Sequence, residues 1–331
     1  MEYILNESKT RTTEHAKINN VHLDLDIPKV NKFSNFNVSG IDYKEYDSTN
    51  FESKIGLVFD KSHNLDIDVT EDSNISISYD IDDILVDSIN INVAKNIEAK
   101  VTIKYTSNKD IYHVSKLNLN IDTDSKVILN YVNLISRNSK SFIAIEDNVL
   151  TNSELEVNLI DLGGDIKVNN YYSNIVGENA KSTLNNIYIA KDNDIVDMNY
   201  YVGLTEKNEE GYINVSGLLD DNAHKNFKGI IDFIKGSSKS IGKELEKVTL
   251  LSDNVITKSL PVLLCHEEDV EGAHGVSTGK IDNDKLLYMM SRGISYKEAL
   301  KLIIKSDFDI ALNKLDEDLY KEVISIVDNR I

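Results

Sequence analysis

The densest run of chemically capable side chains lies within residues 261–294, PVLLCHEEDVEGAHGVSTGKIDNDKLLYMMSRGI. It holds the single cysteine, Cys265, then His266-Glu267-Glu268-Asp269, and further on His274 among glycines. A neutral imidazole ligates borderline metals, iron among them. His274 is therefore a candidate metal ligand; its bland alternative is a histidine that fixes the turn between Gly272 and Gly275 by hydrogen bonding. Cys265 ends an apolar run, where a free cysteine ordinarily behaves as a small buried hydrophobe, with a ligand role as the alternative. His266 to Asp269 resembles half of a zinc-protease helix motif. Val270 stands where the second histidine would be, so a solvated turn is expected. Residues 275–280, GVSTGK, superficially resemble a phosphate loop. The spacing is one residue short and Ile281 replaces the hydroxyl that would hold magnesium, so no nucleotide is expected there.

The elements that must position these residues fall into three regions, 1–50, 51–281 and 282–331. The first contains one clean alternation, Val21-His22-Leu23-Asp24-Leu25-Asp26-Ile27, closed by Pro28. Period two places its apolar residues on one face of a strand. The second region repeats that theme, as in Leu65-Asp66-Ile67-Asp68-Val69, Val101-Thr102-Ile103-Lys104-Tyr105 and Leu155-Glu156-Val157-Asn158-Leu159. Such runs return every ~10–16 residues, the spacing of an all-β fold. A sandwich and a β-solenoid both satisfy it. Hairpins of a sandwich favour Asn-Gly or Asp-Gly turns, and residues 51–255 contain neither. Outward positions rich in Asn, Ser and Asp suit ladders between stacked coils, which favours a solenoid. Many of the 16 tyrosines, Tyr171, Tyr172, Tyr200 and Tyr201 among them, fall in these strands as core or ladder residues.

The third region changes period. Ser295-Tyr296-Lys297-Glu298 fits a capping box, and Tyr296, Ala299, Leu300 and Ile303 follow at helical spacing. A shorter helix is expected over residues 282–292, with Asp282 as its cap and Gly293 as its left-handed end. A last helix carries Leu315, Leu319, Val323 and Val327 on one face.

Composition narrows the partners. Net charge is −19, which opposes nucleic acid and anionic membranes and suits a basic protein partner. No run approaches the ~18 apolar residues of a membrane helix. The N-terminus lacks the basic and apolar segments of a secretory signal, and one cysteine gives no disulfide framework. The cytoplasm is the expected compartment.

The residues Pro261, Leu263, Asp269, Val270, His274, Gly275, Gly279, Ile281, Asp282, Leu286, Tyr288, Ser291, Arg292, Gly293 and Ile294, continued by Glu298 and Ala299, resemble the C-terminal signature of the SufB/SufD family. Upstream, Gly229-Ile230-Ile231 and Leu250-Leu251-Ser252-Asp253 resemble a Gly-x-Ile strand and a Leu-Leu-Ser-Asp turn of the same family. The resemblance implies a right-handed parallel β-helix with a small C-terminal helical module. It implies a non-enzymatic scaffold in iron–sulfur cluster assembly, with ATP handled by a separate SufC-like ATPase. His274 matches the family histidine tied to cluster work, and Cys265 is the one thiol able to assist it. Residues 282–331 lie where the family meets the ATPase, with Tyr288, Arg292, Gly293 and Ile294 as partner-binding candidates. Arg292 and Gly293 also serve simply to end one helix and aim the next. Pairing with a second β-helix is implied, either another copy in a homodimer or a SufB-like paralogue. The chain departs from the signature at Gly272-Ala273-His274-Gly275, where the SufD-like motif carries Cys-Ser-His-Gly. A purely structural subunit that has lost cluster ligation is therefore a second reading. A carbohydrate-active β-helix is a third, disfavoured by the lack of a visible secretion signal.

Overall fold

The computed structural model describes residues 1–7 and 18–331. A short ribbon comes first, β1 (Glu2–Leu5) antiparallel to β2 (Val21–Asp24). Next come β3 (Phe36–Ser39), β4 (Lys44–Ser48), β5 (Phe51–Glu52) and β6 (Val58–Phe59). The chain then winds through eight coils of two strands each. The first four are β7 (Ser62–Val69) with β8 (Ser73–Asp80), β9 (Ile84–Val93) with β10 (Glu98–Thr106), β11 (Tyr112–Ile121) with β12 (Lys126–Leu134), and β13 (Lys140–Val149) with β14 (Glu154–Asp161). The last four are β15 (Ile166–Ile175) with β16 (Lys181–Ala190), β17 (Ile195–Leu204) with β18 (Glu210–Leu219), β19 (His224–Phe233) with β20 (Ile241–Leu250), and β21 (Ile256–Cys265) with β22 (Glu271–Lys280).

Odd-numbered strands of the coils form one sheet and even-numbered strands the other, and each strand pairs in parallel with the strand two places on. Tyr112 lies beside Ile84 and Lys140 beside Tyr112, an advance of 28 residues in these coils; it is 24 where His63 lies beside Asp87 and 32 where Ile256 lies beside His224. Parallel neighbours exclude the sandwich: the architecture is a parallel β-helix. The alternation explains the packing. Leu65, Ile67 and Val69 turn inward and are fully buried, while Asp66 and Asp68 face out. The outer positions become ladders. Asn90 Nδ2 donates to Asp66 Oδ1 at 2.7 Å and Asn118 Nδ2 to Asn90 Oδ1 at 2.6 Å. The turns stack likewise. Asp124, Asn152, Asn179 and Asn208 all take φ between +58° and +62°, a region their short polar side chains tolerate. Each of these asparagines donates its amide to the residue one coil before.

The N-terminal end of the coil is capped. β3 pairs antiparallel with β8, and β4 with β7. The ribbon lies on the outer face of the odd-strand sheet. Leu5, Leu23 and Leu25 there bury Val86, Val114, Phe142 and Val168. The alternating segment expected over residues 21–27 is a strand only as far as Asp24, with Leu23 and Leu25 as its buried anchors. Buried Asp197 fastens the ribbon: Asn6 and Asn19 donate to its Oδ1 at 2.7 and 2.9 Å.

Three helices close the chain, α1 (Asn283–Ser291), α2 (Tyr296–Leu312) and α3 (Glu317–Arg330). Asp282 caps α1 by accepting from Asp284 N and Lys285 N, and Gly293 ends it at φ +90°. Both halves of the Ser295/Glu298 capping box form. α2 sets Leu300, Ile304, Phe308 and Leu312 against Val132, Ile160, Ile187 and Leu218 on the even-strand sheet, and Val323 and Val327 of α3 join this core.

Candidate site at the open last coil

β21 and β22 are the terminal strands of the two sheets. Among the described residues no strand pairs with their outer edges, in contrast to the capped N-terminal end. β22 is exposed at every position except Gly275, and β21 is at most half-buried along its length. Pro261 sits comfortably in β21, because an edge strand tolerates a residue without an N–H. The last coil therefore leaves unpaired backbone donors and acceptors and an uncovered cross-section.

Register and pleat fix which side chains face that cross-section. Gly272 pairs with Gly242, His274 with Glu244 and Val276 with Glu246. A Cβ at Gly272 would lie 3.1 Å from the Phe233 ring and 3.4 Å from Leu263, so this row points inward. His274 belongs to it. It lies in mid-strand and not in a turn, because Gly272 and Gly275 continue the extended backbone. The turn-histidine expectation is thus corrected.

One coil deeper, Glu244 is fully buried, and neither carboxylate oxygen has a hydrogen-bond partner. Gly229 makes the space: a Cβ there would stand 2.4 Å from the Glu244 carboxyl carbon. Burial, reinforced by the neighbouring Glu246 charge, pushes the Glu244 carboxyl up to about 8. Glu246 is paired with buried Lys225, whose Nζ also donates to Ser259 Oγ at 2.8 Å. Burial lowers the Lys225 pKa against the pull of Glu246. Glu246 Oε2 remains without a partner. These three charged residues escaped the motif reading. The signal was the alternation in Gly242-x-Glu244-x-Glu246-x-Val248, which places two acids at core positions of a strand.

The other candidates are dispersed. Cys265 pairs in register with Phe233 as the last residue of β21, where the chain turns into β22, and is exposed, so the buried-hydrophobe expectation is corrected. Its strand is the last of its sheet, and among the described residues no strand pairs over it. No hydrogen bond or ion pair joins it to His274 among the described residues. His266 to Asp269 form the connecting turn. There Glu267 accepts from Gly236 N at 3.1 Å, and these backbone bonds hold its carboxyl below the usual range. Residues 275–280 are extended strand, not a loop. On the helical module, Tyr288 is 62% exposed with Arg292 over its ring at 5.4 Å. Gly293 and Arg292 are exposed and Ile294 is half-buried. Leu287, Met290 and Tyr296 extend this exposed apolar surface.

The donor set of the last two coils is carboxylate and imidazole, with one thiol apart from them. Iron–sulfur clusters are held chiefly by thiolates. Among the described residues no three His, Cys, Asp or Glu side chains converge as a finished metal site. No helix among the described residues is long and apolar enough to cross a membrane.

Comparison with known proteins supplies the context. The family described as SUF system FeS cluster assembly, SufBD core domain, matches residues 75–307. The chain is similar to the iron–sulfur cluster assembly protein SufD of Bacillus subtilis, 34% identical over 126 residues, or 38% of this chain and 29% of that protein. It is similar to SufD of Escherichia coli, 23% identical over 249 residues, or 73% of this chain and 58% of that protein. A SufBD family protein of Archaeoglobus fulgidus is 26% identical over 157 residues, 47% of this chain and 42% of its own. The matched stretches thus span less than two thirds of these curated relatives.

Proposed function

Because the chain belongs to the SufB/SufD family of the SUF iron–sulfur cluster assembly system, we propose that it serves as a non-enzymatic scaffold subunit on which a cluster is assembled, in the cytoplasm. The observation that carries this reading is the uncovered last coil. It offers His274 on its inner face beside unpaired strand edges that invite a second β-helix. Another copy of the chain, or a SufB-like paralogue, is the partner that fits such edges. The helical module, with Leu287, Tyr288, Met290 and Arg292 exposed on and beside α1, is the surface that docks a SufC-like ATPase. ATP acts only through that partner.

Anaerobic reconstitution with iron and sulfide, with and without the ATPase, tests the scaffold role. His274→Ala should leave assembly with the second β-helix intact and lower the iron retained. Unchanged iron in that variant would reduce His274 to a structural residue. A subunit without ligation of its own is the second reading, favoured by Gly272 standing where a thiol would help. A wild type that binds the ATPase but never retains iron would establish it. Deleting residues 282–331 should abolish co-purification with the ATPase, and survival of binding would move that site elsewhere.

A further inference from the structure

We infer that β3 and β4, which close the N-terminal end of the coil, form a cap that opens in acid, with His63 beneath it as the group that takes up the proton. The cap is slight. β3 pairs with β8 over four residues and β4 with β7 over five. Phe33, Phe36, Val38 and Ile41 of this segment pack on the core of the coil, and each is half-buried. Hydrophobic stabilisation scales with the apolar area removed from water, so this anchor is weaker than the fully buried rows it covers. Opening the cap bares the edges of β7 and β8 in the way the last coil bares β21 and β22.

His63 sits where the cap meets the first coil. It lies on β7 opposite Asp47 of β4 and is 3% exposed. The Phe36 ring is 4.6 Å from the imidazole, Tyr79 5.9 Å and Phe33 6.1 Å. Neither ring nitrogen has a hydrogen-bond partner. This is a pocket for a neutral ring, because a charge sealed among aromatic side chains without a hydrogen bond is far costlier than a neutral imidazole. Burial accordingly holds the His63 pKa below the ordinary histidine value. The facing charges do not reverse this. Asp87, its register neighbour on β9, pulls upward, but its oxygens already serve Tyr105, His113 and Ser115. Glu45 and Asp47 of β4 pull the same way. The Glu45 carboxylate is 3.7 Å from Nδ1 and 37% exposed, where water and salt screen it. Lys32, just before the cap, opposes protonation. In the opened cap the ring meets water and takes a proton as a free histidine does. Protonation therefore favours the open form, and the cap loosens as pH falls below about 6.5. Glu244, Asp147 and Asp197 carry the opposite sign, since burial raises their pKa values. Acid thus loosens the cap while it tightens the coils.

The test is amide hydrogen exchange of the full chain from pH 8 to pH 5, corrected for the pH dependence of exchange itself. Protection of β3 and β4 should fall below about pH 6.5, by up to about tenfold per pH unit. Protection of β11 and β13 should hold or rise over the same range. His63→Phe keeps an aromatic ring in the cage and removes the proton site, so protection of its cap should stay flat. Glu45→Gln is a surface change and serves where His63→Phe folds poorly. It removes the carboxylate nearest the imidazolium, so the closed cap tolerates protonation less and acid should lower protection further than in the wild type. A wild-type cap whose protection is constant from pH 8 to pH 5 would overturn the inference. So would an equal acid loss in His63→Phe, which would assign the effect to the exposed carboxylates of the cap. A loss no larger in Glu45→Gln than in the wild type would overturn it too, and a parallel loss through β11 and β13 would replace it with global unfolding.

Discussion

Glu244 and His274 are register partners on β20 and β22, yet the first is sealed from solvent and the second is open to it. The difference comes from coil number alone: one more coil covers Glu244, and none covers His274. That position makes Glu244 a source of pH-dependent instability. Burial raises its pKa in the folded chain to about 8, from about 4.5 for an ordinary glutamate. Between those values the unfolded chain has released a proton that the folded chain retains, so raising the pH favours unfolding. The slope reaches about 1.4 kcal/mol per pH unit for one group. Asp147, raised to about 7 by burial, and Asp197, raised to about 6, act with the same sign. Stability should therefore fall from pH 5 to pH 8. Glu244→Gln should flatten that fall and be more stable than the wild type at pH 8. Urea midpoints at both pH values check this, and parallel profiles for the two proteins would refute it.

The turn ladder gives a second prediction. Asn152 sits at φ +58°, donates to Asp124 at 2.9 Å and accepts from Asn179 at 3.0 Å. Asn152→Ala loses the ladder bonds and meets the left-handed penalty of a β-carbon, together about 1–2 kcal/mol. Asn152→Gly keeps the backbone free and should cost less by roughly half. Equal losses in chemical denaturation would show that the conformation contributes nothing.

A third prediction concerns the helical module. Phe308 is 1% exposed and is the largest fully buried side chain of α2. It belongs to the core shared by the helices and the even-strand sheet. Phe308→Ala should cost about 3–5 kcal/mol of the attachment of that module. Hydrogen exchange should rise across residues 296–312 while β12 and β14 keep their protection. A uniform rise through the coils would mean that module and solenoid unfold as one unit.

Local chemistry was legible, and position along the stack was not. Ser295 and Glu298 announced their helix start because both halves of a capping box lie within four residues, and the bonds form at 3.3 and 3.1 Å. Leu65, Ile67 and Val69 showed their inner face because a strand's pleat is a property of neighbours in sequence. Parallel pairing at a distance of 28 residues carries no such local mark, so sandwich and solenoid stayed open until the family signature was read. Cys265 was misplaced for the same reason: an apolar run is buried in an interior coil and bare in a terminal one. Gly272 and Gly275 looked like turn residues, whereas Gly272 faces Phe233 and Leu263 in the pleat. Glu244 carried a signal, an acid at an inward position, that becomes meaningful only once the strand is known to be a wall of the coil.

The last prediction tests what covers the open end. Val276 is 41% exposed on β22, whose outer edge has no partner strand among the described residues. Val276 pairs in register with Glu246, which is already buried with its Oε2 unpartnered. Exposed edges are templates for another strand, and a two-fold pairing of identical surfaces is the commonest way to satisfy them. A second copy would bring two inner rows, each with its own His274, toward one interface. Val276→Glu would place a new carboxylate in that interface, next to the existing ones, while Lys225 is held by Glu246 and Lys247 is paired with Asp307. The monomer should tolerate the change, because Val276 lies on the last strand and supports no further coil. Sedimentation of the wild type at tens of micromolar should therefore give a dimer, and of Val276→Glu a monomer with unchanged circular dichroism. A wild type that is monomeric alone but pairs with a SufB-like paralogue would assign the edge to that partner, and Val276→Glu should then break the heterodimer. Either complex surviving the substitution would place the contact outside the last coil.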